Sequence, residues 1–169
     1  GLFGANTGGV VLLDPFVAIQ DSLEIKASVS GGSFGLFHQN VDFRKKWAKS
    51  TLSISQAYQR SNGYRDNSAM QRHYVQIAHQ YFYKPNAIIK SFVFFSDLGY
   101  RTPGGLTQKQ LDENPRAARP ASQVAPGAEA QKAGIYNKTI FGGITHDRSW
   151  NTKIRHVVSA FGSYTNFQN

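Results

Sequence analysis

The sequence predicts an all-β protein, built as an antiparallel meander of about seven strands. Polar and apolar residues alternate in segments of about ten residues, and turn residues separate these segments. No segment of useful length carries the periodicity of an amphipathic helix. Of the 169 residues, 40% are hydrophobic and 13% are aromatic, and the mean hydropathy is −0.40. This composition suits a sheet that has one wet face.

The alternating segments define the strands in chain order. We expect strands over residues 23–30, 36–47, 51–59, 72–83, 87–98, 135–146 and 153–164. One face is expected to carry Phe37, Val41, Phe43, Leu52, Ile54, Val75 and Ile77. The other face is expected to carry His38, Asn40, Ser53, Ser55, Gln76 and Gln80. The fifth strand is apolar on both faces around residues 92–95, so its alternation does not assign a facing.

Short and long connections alternate along the chain. The connections at 46–50, 84–86 and 147–152 are short, whereas those at 60–71 and 99–134 are long. This pattern is typical of a transmembrane β-barrel, in which the short turns face the periplasm. No run approaches the roughly 18 apolar residues of a membrane helix, so strands would have to cross the membrane. The aromatic residues expected near the strand ends, which suit an interfacial girdle, are Trp47, Tyr81, Tyr83, Tyr100, Trp150 and Tyr164.

The first thirteen residues form a glycine-rich turn followed by an apolar run. Gly4, Gly8 and Gly9 bracket the turn, and the run from Val10 to Leu13 stops at Asp14-Pro15. This string resembles the last segment of the plug domain of TonB-dependent outer-membrane receptors. An ordinary glycine turn before a core strand is the alternative. A phosphate-binding loop does not fit, because no Lys-Ser or Lys-Thr follows the glycines.

A second stretch resembles the siderophore-type members of the same family. It consists of DLGYRTPGGLTQKQLDENPRAARP at 97–120 and AGIYNKTIFGGITH at 133–146. SGGSFG at 30–35 and NGYRDNS at 62–68 extend the match over most of the chain. The resemblance implies that residues 1–16 end a plug domain, and we expect residues 1–13 to pack on the polar face of the sheet. It also implies that residues 17–169 begin a transmembrane β-barrel with a long extracellular loop at about 99–134. Within that loop, Thr107 is expected to cap a short helix over Gln108–Glu113.

What the resemblance implies is a receptor in the bacterial outer membrane that imports a ferric siderophore or a similar metal chelate. The TonB complex would drive it through an N-terminal part that precedes these residues. An anionic chelate could be attracted by Arg101, Arg116 and Arg119, with Tyr100 as an apolar wall. The alternative is that these arginines are solvated loop residues. About seven strands, against roughly 22 in plugged transporters, imply a sheet that does not close by itself and a fragment of a larger receptor.

Other function classes have little support. The net charge of +9 suits nucleic acid, but the basic residues are dispersed, and their one run of three, at 44–46, is expected at a turn. We therefore expect no nucleic-acid partner. His73 and His79 share a strand face but lie roughly 20 Å apart, too far to bind one ion. No catalytic pattern is visible, so neither an enzyme, a metal site nor a cofactor is expected. The alternative function is a small outer-membrane or soluble β-barrel that binds a ligand, or an outer-membrane hydrolase.

Overall fold

The structure is a computed structural model that describes residues 14–16 and 19–169. Within this part of the chain it contains seven strands and one short helix. In chain order they are β1 (Leu23–Gly32), β2 (Leu36–Lys46), β3 (Ser50–Ser61), β4 (Met70–Lys84), β5 (Ala87–Arg101), α1 (Gln108–Glu113), β6 (Gly134–Ser149) and β7 (Arg155–Gln168). The predicted all-β class is confirmed. The expected packing of residues 1–13 on the polar face lies outside the described residues.

The seven strands form one sheet in sequential order, and each strand is antiparallel to the next. The predicted meander is therefore confirmed. Strands β5 and β6 are longer than expected, since their pairing continues to Arg101 and Gly134, so the loop between them spans 102–133. Strands β1 and β7 are the two edges of the described sheet and do not pair with each other.

The register divides the sheet into two faces, because directly paired residues of antiparallel strands share a face. All thirteen residues assigned to a face from the sequence of β2, β3 and β4 lie on the expected face. We call one face the apolar face, whose central residues include Ile25, Val41, Ile54, Val75, Ile77, Val93, Phe95, Ile140 and Ile144. The opposite, polar face includes Lys26, Asn40, Asp42, Ser53, Ser55, Gln76, Gln80, Thr139 and Thr145.

The apolar face is uncovered in the described structure. Ile140 and Ile144, near its centre, are 49% and 52% exposed. The buried hydrophobic residues among those described are Ile19, Ala78, Ala87 and Ala128, so no large side chain forms a dry core. Such a large contiguous apolar surface requires a partner or a lipid phase.

The polar face is held by hydrogen bonds between and along its strands. Ser55 and Asn40 both donate to the Asp42 carboxylate, at 2.5 and 2.6 Å. Thr51 donates to Gln80 across β3 and β4 at 3.3 Å.

The basic run at 44–46 was expected at a turn, but this expectation is wrong, because all three residues belong to β2. Pairing with β1 and β3 continues through them, and the turn begins only at residue 47.

The short connections at 47–49, 85–86 and 150–154 form the lower rim of the sheet. At this rim a chain of three hydrogen bonds links Trp150 and β7, through β6, to β4. The indole N–H of Trp150 donates to Nδ1 of His156 at 2.7 Å. His156 therefore carries its proton on Nε2 and donates it to Nδ1 of His146 at 3.0 Å. His146 in turn donates from Nε2 to the Tyr83 hydroxyl oxygen at 2.6 Å.

This chain predicts the tautomers of both imidazoles. In their neutral forms, His146 and His156 should both carry the proton on Nε2. Nitrogen-15 NMR of histidine-labelled protein measures this directly. The Trp150→Phe variant removes the first donor and should release the tautomer preference of His156. A predominant Nδ1–H form of either ring in the wild type would contradict the arrangement.

Candidate functional site: the upper rim and the polar-face groove

The connections at 33–35, 62–69 and 102–133 form the upper rim of the sheet, where they interlock. The side-chain amide of Asn67 donates to the carbonyls of Thr102, Ala128 and Ala133 at 2.9, 3.3 and 3.0 Å. Asn67 has a φ of 52°, a left-handed conformation that asparagine tolerates better than most residues. The long loop is therefore anchored to its neighbour at both of its ends.

The predicted helix within the long loop is confirmed as α1. The Thr107 hydroxyl accepts a hydrogen bond from the backbone N–H of Gln110, and the Gln110 side chain accepts from the backbone N–H of Thr107. This reciprocal capping box satisfies two donors that the start of a helix leaves free. It fixes the first part of the loop locally, without help from the sheet.

Arg116 lies over two aromatic rings from other connections. Its guanidinium carbon is 5.7 Å from the ring centre of Phe34 and 5.4 Å from that of Tyr64. The two rings meet edge to face at 5.4 Å. Arg116 thus joins all three connections of the upper rim through cation–π contacts.

Arg119 is engaged inside its own loop. Its guanidinium donates to the Pro126 carbonyl at 3.1 Å and to the Gln131 side chain at 2.8 Å. Its aliphatic part crosses Gly104, where φ is +73° and an added Cβ would lie 2.8 Å from the Arg119 Cβ. The position of Gly104 therefore requires glycine for both conformation and space.

Tyr100 and Arg101 lie apart from these two arginines, in what we call the upper-rim groove. This depression has a volume of about 600 Å³. The side chains and backbone that line it include Tyr58, Arg60, His73, Asp97, Tyr100, Arg101, Tyr136 and Lys138. The four residues expected to bind a ligand are thus distributed over three surroundings rather than brought together.

A larger groove of about 780 Å³ lies on the polar face, and we call it the polar-face groove. Its floor is aromatic: the rings of Phe94 and Phe141 stack at 5.6 Å, and Phe92 lies 6.1 Å from Phe141. Phe161 extends the cluster at 6.2 Å from Phe141. Gly143 lies between Phe92 and Phe161 in the register, and a Cβ there would lie 3.2 Å from that of Phe161.

Polar groups surround this aromatic floor. Arg72 lies over the ring of Tyr74 at 5.3 Å, so its charge is held at the groove. The remaining polar lining residues are Asp14, Gln76, Ser96, Asn137 and Thr139. One cation, one carboxylate, an aromatic surface and several amide and hydroxyl groups form a mixed lining that suits an organic ligand with an apolar or aromatic body.

The segment that precedes β1 also touches the polar face. Asp14 and Pro15 line the polar-face groove, and Lys90 lies 5.2 Å from the ring centre of Phe16. Lys46 donates to the Ile19 carbonyl at 3.5 Å. Residues 14–16 and Ile19 therefore lie on the same face that carries the groove.

The sequence did not reveal this groove or the histidine pair at the lower rim. The groove depends on the facing of β5, which alternation left open, and on Phe94 and Phe141 lying side by side on adjacent strands. His146 and His156 meet only through the register of β6 and β7. The expected separation of His73 and His79 along one face agrees with the register of β4.

Among the residues that the structure describes, no cluster of three or more His, Cys, Asp or Glu side chains is placed to hold a metal ion. Nor is any helix of this part of the chain both long and apolar enough to cross a membrane.

Asn67 offers a direct test of the interlocked upper rim. The Asn67→Ala variant loses three hydrogen bonds to the long loop and should loosen that loop by about 1 to 3 kcal/mol. Limited trypsin digestion should then cut after Lys109, Arg116 or Lys132 about tenfold faster. Asn166→Ala, in exposed β7, is the control and should digest like the wild type. Equal cleavage rates in all three proteins would refute the anchoring role.

No protein-family model matches the chain, and no curated protein matches it.

Proposed function

We propose that the chain is part of a TonB-dependent outer-membrane receptor that imports a ferric siderophore or a similar metal chelate. The observation that carries the proposal is the contrast between the two faces of one open antiparallel meander. In a barrel wall, lipid would cover the uncovered apolar face, and the polar face with its groove would line the lumen. An unpaired edge is not tolerated in lipid, so further strands would have to pair with β1 and β7.

The two rims support the same orientation. The lower-rim connections contain two to five residues, whereas the upper rim includes the connections at 62–69 and 102–133. Short turns face the periplasm and long loops face outward in barrels of this kind. On the apolar face, Tyr58 and Tyr136 lie toward the upper rim, and Tyr81 and Tyr83 toward the lower rim. These positions suit the aromatic girdles at the two membrane interfaces.

The lining of the polar-face groove supports the proposed substrate class. Ferric chelates with carboxylate or catecholate donors are usually anionic and have bulky organic bodies. Arg72 supplies a positive charge and Phe94 with Phe141 supplies an aromatic surface. Tyr100, nearer the upper rim on the same polar face, would meet the ligand first, and Arg101 lies beside it at the end of β5.

A ligand-binding barrel without energy coupling is the second candidate, because the polar-face groove alone requires no coupling. The two candidates differ in energy dependence. Uptake of the chelate by cells with the full-length protein should stop when the inner-membrane TonB complex is deleted. Uptake that continues unchanged would favour the second candidate.

Arg72 tests the groove itself. In the full-length receptor, Arg72→Gln should weaken equilibrium binding of an anionic ferric chelate by about 1.5 to 3 kcal/mol, because one charge-assisted contact is lost. Binding of radiolabelled chelate to outer membranes at matched receptor abundance measures this. Lys26→Gln, on the polar face outside the groove, is the control and should bind normally. Unchanged affinity of Arg72→Gln would remove this groove from the binding site.

The loop arginines form a separate test. Joint replacement of Arg101, Arg116 and Arg119 by glutamine should weaken chelate capture by about 1 to 3 kcal/mol. Arg101→Gln alone leaves the loop contacts intact, so its loss of chelate affinity measures direct attraction. Arg116→Gln removes the contacts to Phe34 and Tyr64, so its loss of chelate affinity should accompany faster trypsin cleavage of the loop. Wild-type affinity of the triple variant would exclude all three arginines from chelate capture.

A further inference from the structure

A row of basic side chains crosses the lower end of the apolar face. The register pairs Lys84 with Ala87, Ala87 with Arg148, and Arg148 with His156, so these four residues share that face. We call them the lower cation row. A register shift between Phe82 and Lys84 turns Lys84 onto this face, because regular alternation would have placed it on the polar face.

Arg148 is held in place, but its charge has no partner. Its guanidinium carbon lies 3.6 Å from the ring centre of Trp150. Within the described part of the chain, Arg148 forms no salt bridge, and its buried Nε atom has no hydrogen-bond acceptor. Lys84 forms no salt bridge with the described residues either. Two cations of one row are therefore available to an anion.

No carboxylate compensates these charges from the same face of the described sheet. Asp147 lies on the polar face and accepts two hydrogen bonds from Arg155 there. Among the described strand residues, Asp97 is the one acidic residue of the apolar face, and it lies toward the upper end of β5. The three connections of the lower rim contain no acidic residue. Positive charge is thus in local excess at the lower cation row.

The uncovered apolar surface begins one side-chain step above this row. The next row on the same face is Tyr81, Ile89, His146 and Val158. Val158 is 63% exposed, and Trp150 at the rim is 55% exposed. Basic side chains, an exposed tryptophan and an apolar surface in this order are typical of a membrane–water interface.

We infer that the lower cation row binds the phosphate of an anionic phospholipid in the inner leaflet of the outer membrane. The inference rests on the proposed function, which places lipid against the apolar face and the lower rim toward the periplasm. Lys84 and Arg148 donate charge-assisted hydrogen bonds to the phosphate oxygens, and the acyl chains lie along Ile89 and Val158. A zwitterionic phospholipid would bring an ammonium group to the same two cations, so the site favours a head group with net negative charge.

This site does not overlap the proposed chelate path. The polar-face groove lies on the opposite side of the sheet, and the upper rim lies at the other ends of the same strands. Neither Lys84 nor Arg148 lines the polar-face groove or the upper-rim groove. Substitution of these two residues should therefore leave chelate binding unchanged.

Native mass spectrometry of the purified full-length protein in detergent tests the inference with phosphatidylglycerol as the probe. The wild type should bind it about tenfold more tightly than phosphatidylethanolamine with the same acyl chains, because two cations attract its net charge. The Lys84→Gln, Arg148→Gln double variant should lose this preference. The control, Lys49→Gln with Lys153→Gln, removes the same charge from exposed lower-rim positions outside the row and should bind within about twofold of the wild type.

Circular dichroism checks that each variant is folded. If the double variant does not fold, Lys84→Gln alone keeps the contact of Arg148 with Trp150 and should weaken phosphatidylglycerol binding about threefold. Equal binding of the two phospholipids by the wild type would overturn the inference, as would unaltered binding by the folded variants. Equal losses in the double variant and the control would also overturn it, because the attraction would then depend on net charge alone. Displacement by inorganic phosphate at equal concentration would do the same, because the row would then bind the free anion.

Cell fractionation and chelate uptake separate this inference from the proposed function. A wild-type protein that reaches the outer membrane and imports the chelate, but shows no preference between the two phospholipids, contradicts the inference alone. A wild-type protein that does not reach the outer membrane contradicts the proposed function and the inference with it.

Discussion

The antiparallel register of the sheet is the constraint on which the remaining structure depends. Side chains alternate between faces, so a slip of one residue between two strands would exchange their apolar and polar faces. Such a slip would bring Asp42 opposite Ile54 instead of Ser55, and the hydrogen bond between Asp42 and Ser55 would be lost. Because both the apolar face and the polar network require one alignment, the register is determined twice, by independent interactions.

The upper rim adds a second constraint that acts between connections rather than strands. Asn67 binds three carbonyls of the long loop, and Arg116 lies between the rings of Phe34 and Tyr64. A loop of 32 residues, at 102–133, loses much conformational entropy on becoming ordered, and these contacts offset that cost. These anchors and the capping box of α1 divide it into short, locally fixed segments. Two of the arginines expected to contact a ligand, Arg116 and Arg119, therefore also hold the loop structure.

Much of the fold could be predicted from the sequence because two-residue alternation acts locally. It assigned the faces of β2, β3 and β4, and Thr107 as an N-cap predicted the helix. It could not assign β5, where Phe92 and Phe94 on one face alternate with Val93 and Phe95 on the other. The polar-face groove depends on that assignment. The contacts of Arg116 with Phe34 and Tyr64 arise between loops, and the contact of His146 with His156 arises between strands. Side-chain contacts of this kind require the register and the loop paths, which local patterns do not contain.

The aromatic residues of the polar face show that the two faces of the sheet do not differ simply as polar and apolar. A face that meets water throughout would gain little from Phe94 and Phe141, whose burial requires an apolar partner. Their position beside Arg72, Asn137 and Thr139 instead creates a mixed polar and aromatic surface. On the opposite side, Val93 and Phe95 continue the uncovered apolar face. Strand β5 thus carries apolar residues on both faces, and for this reason its sequence does not alternate.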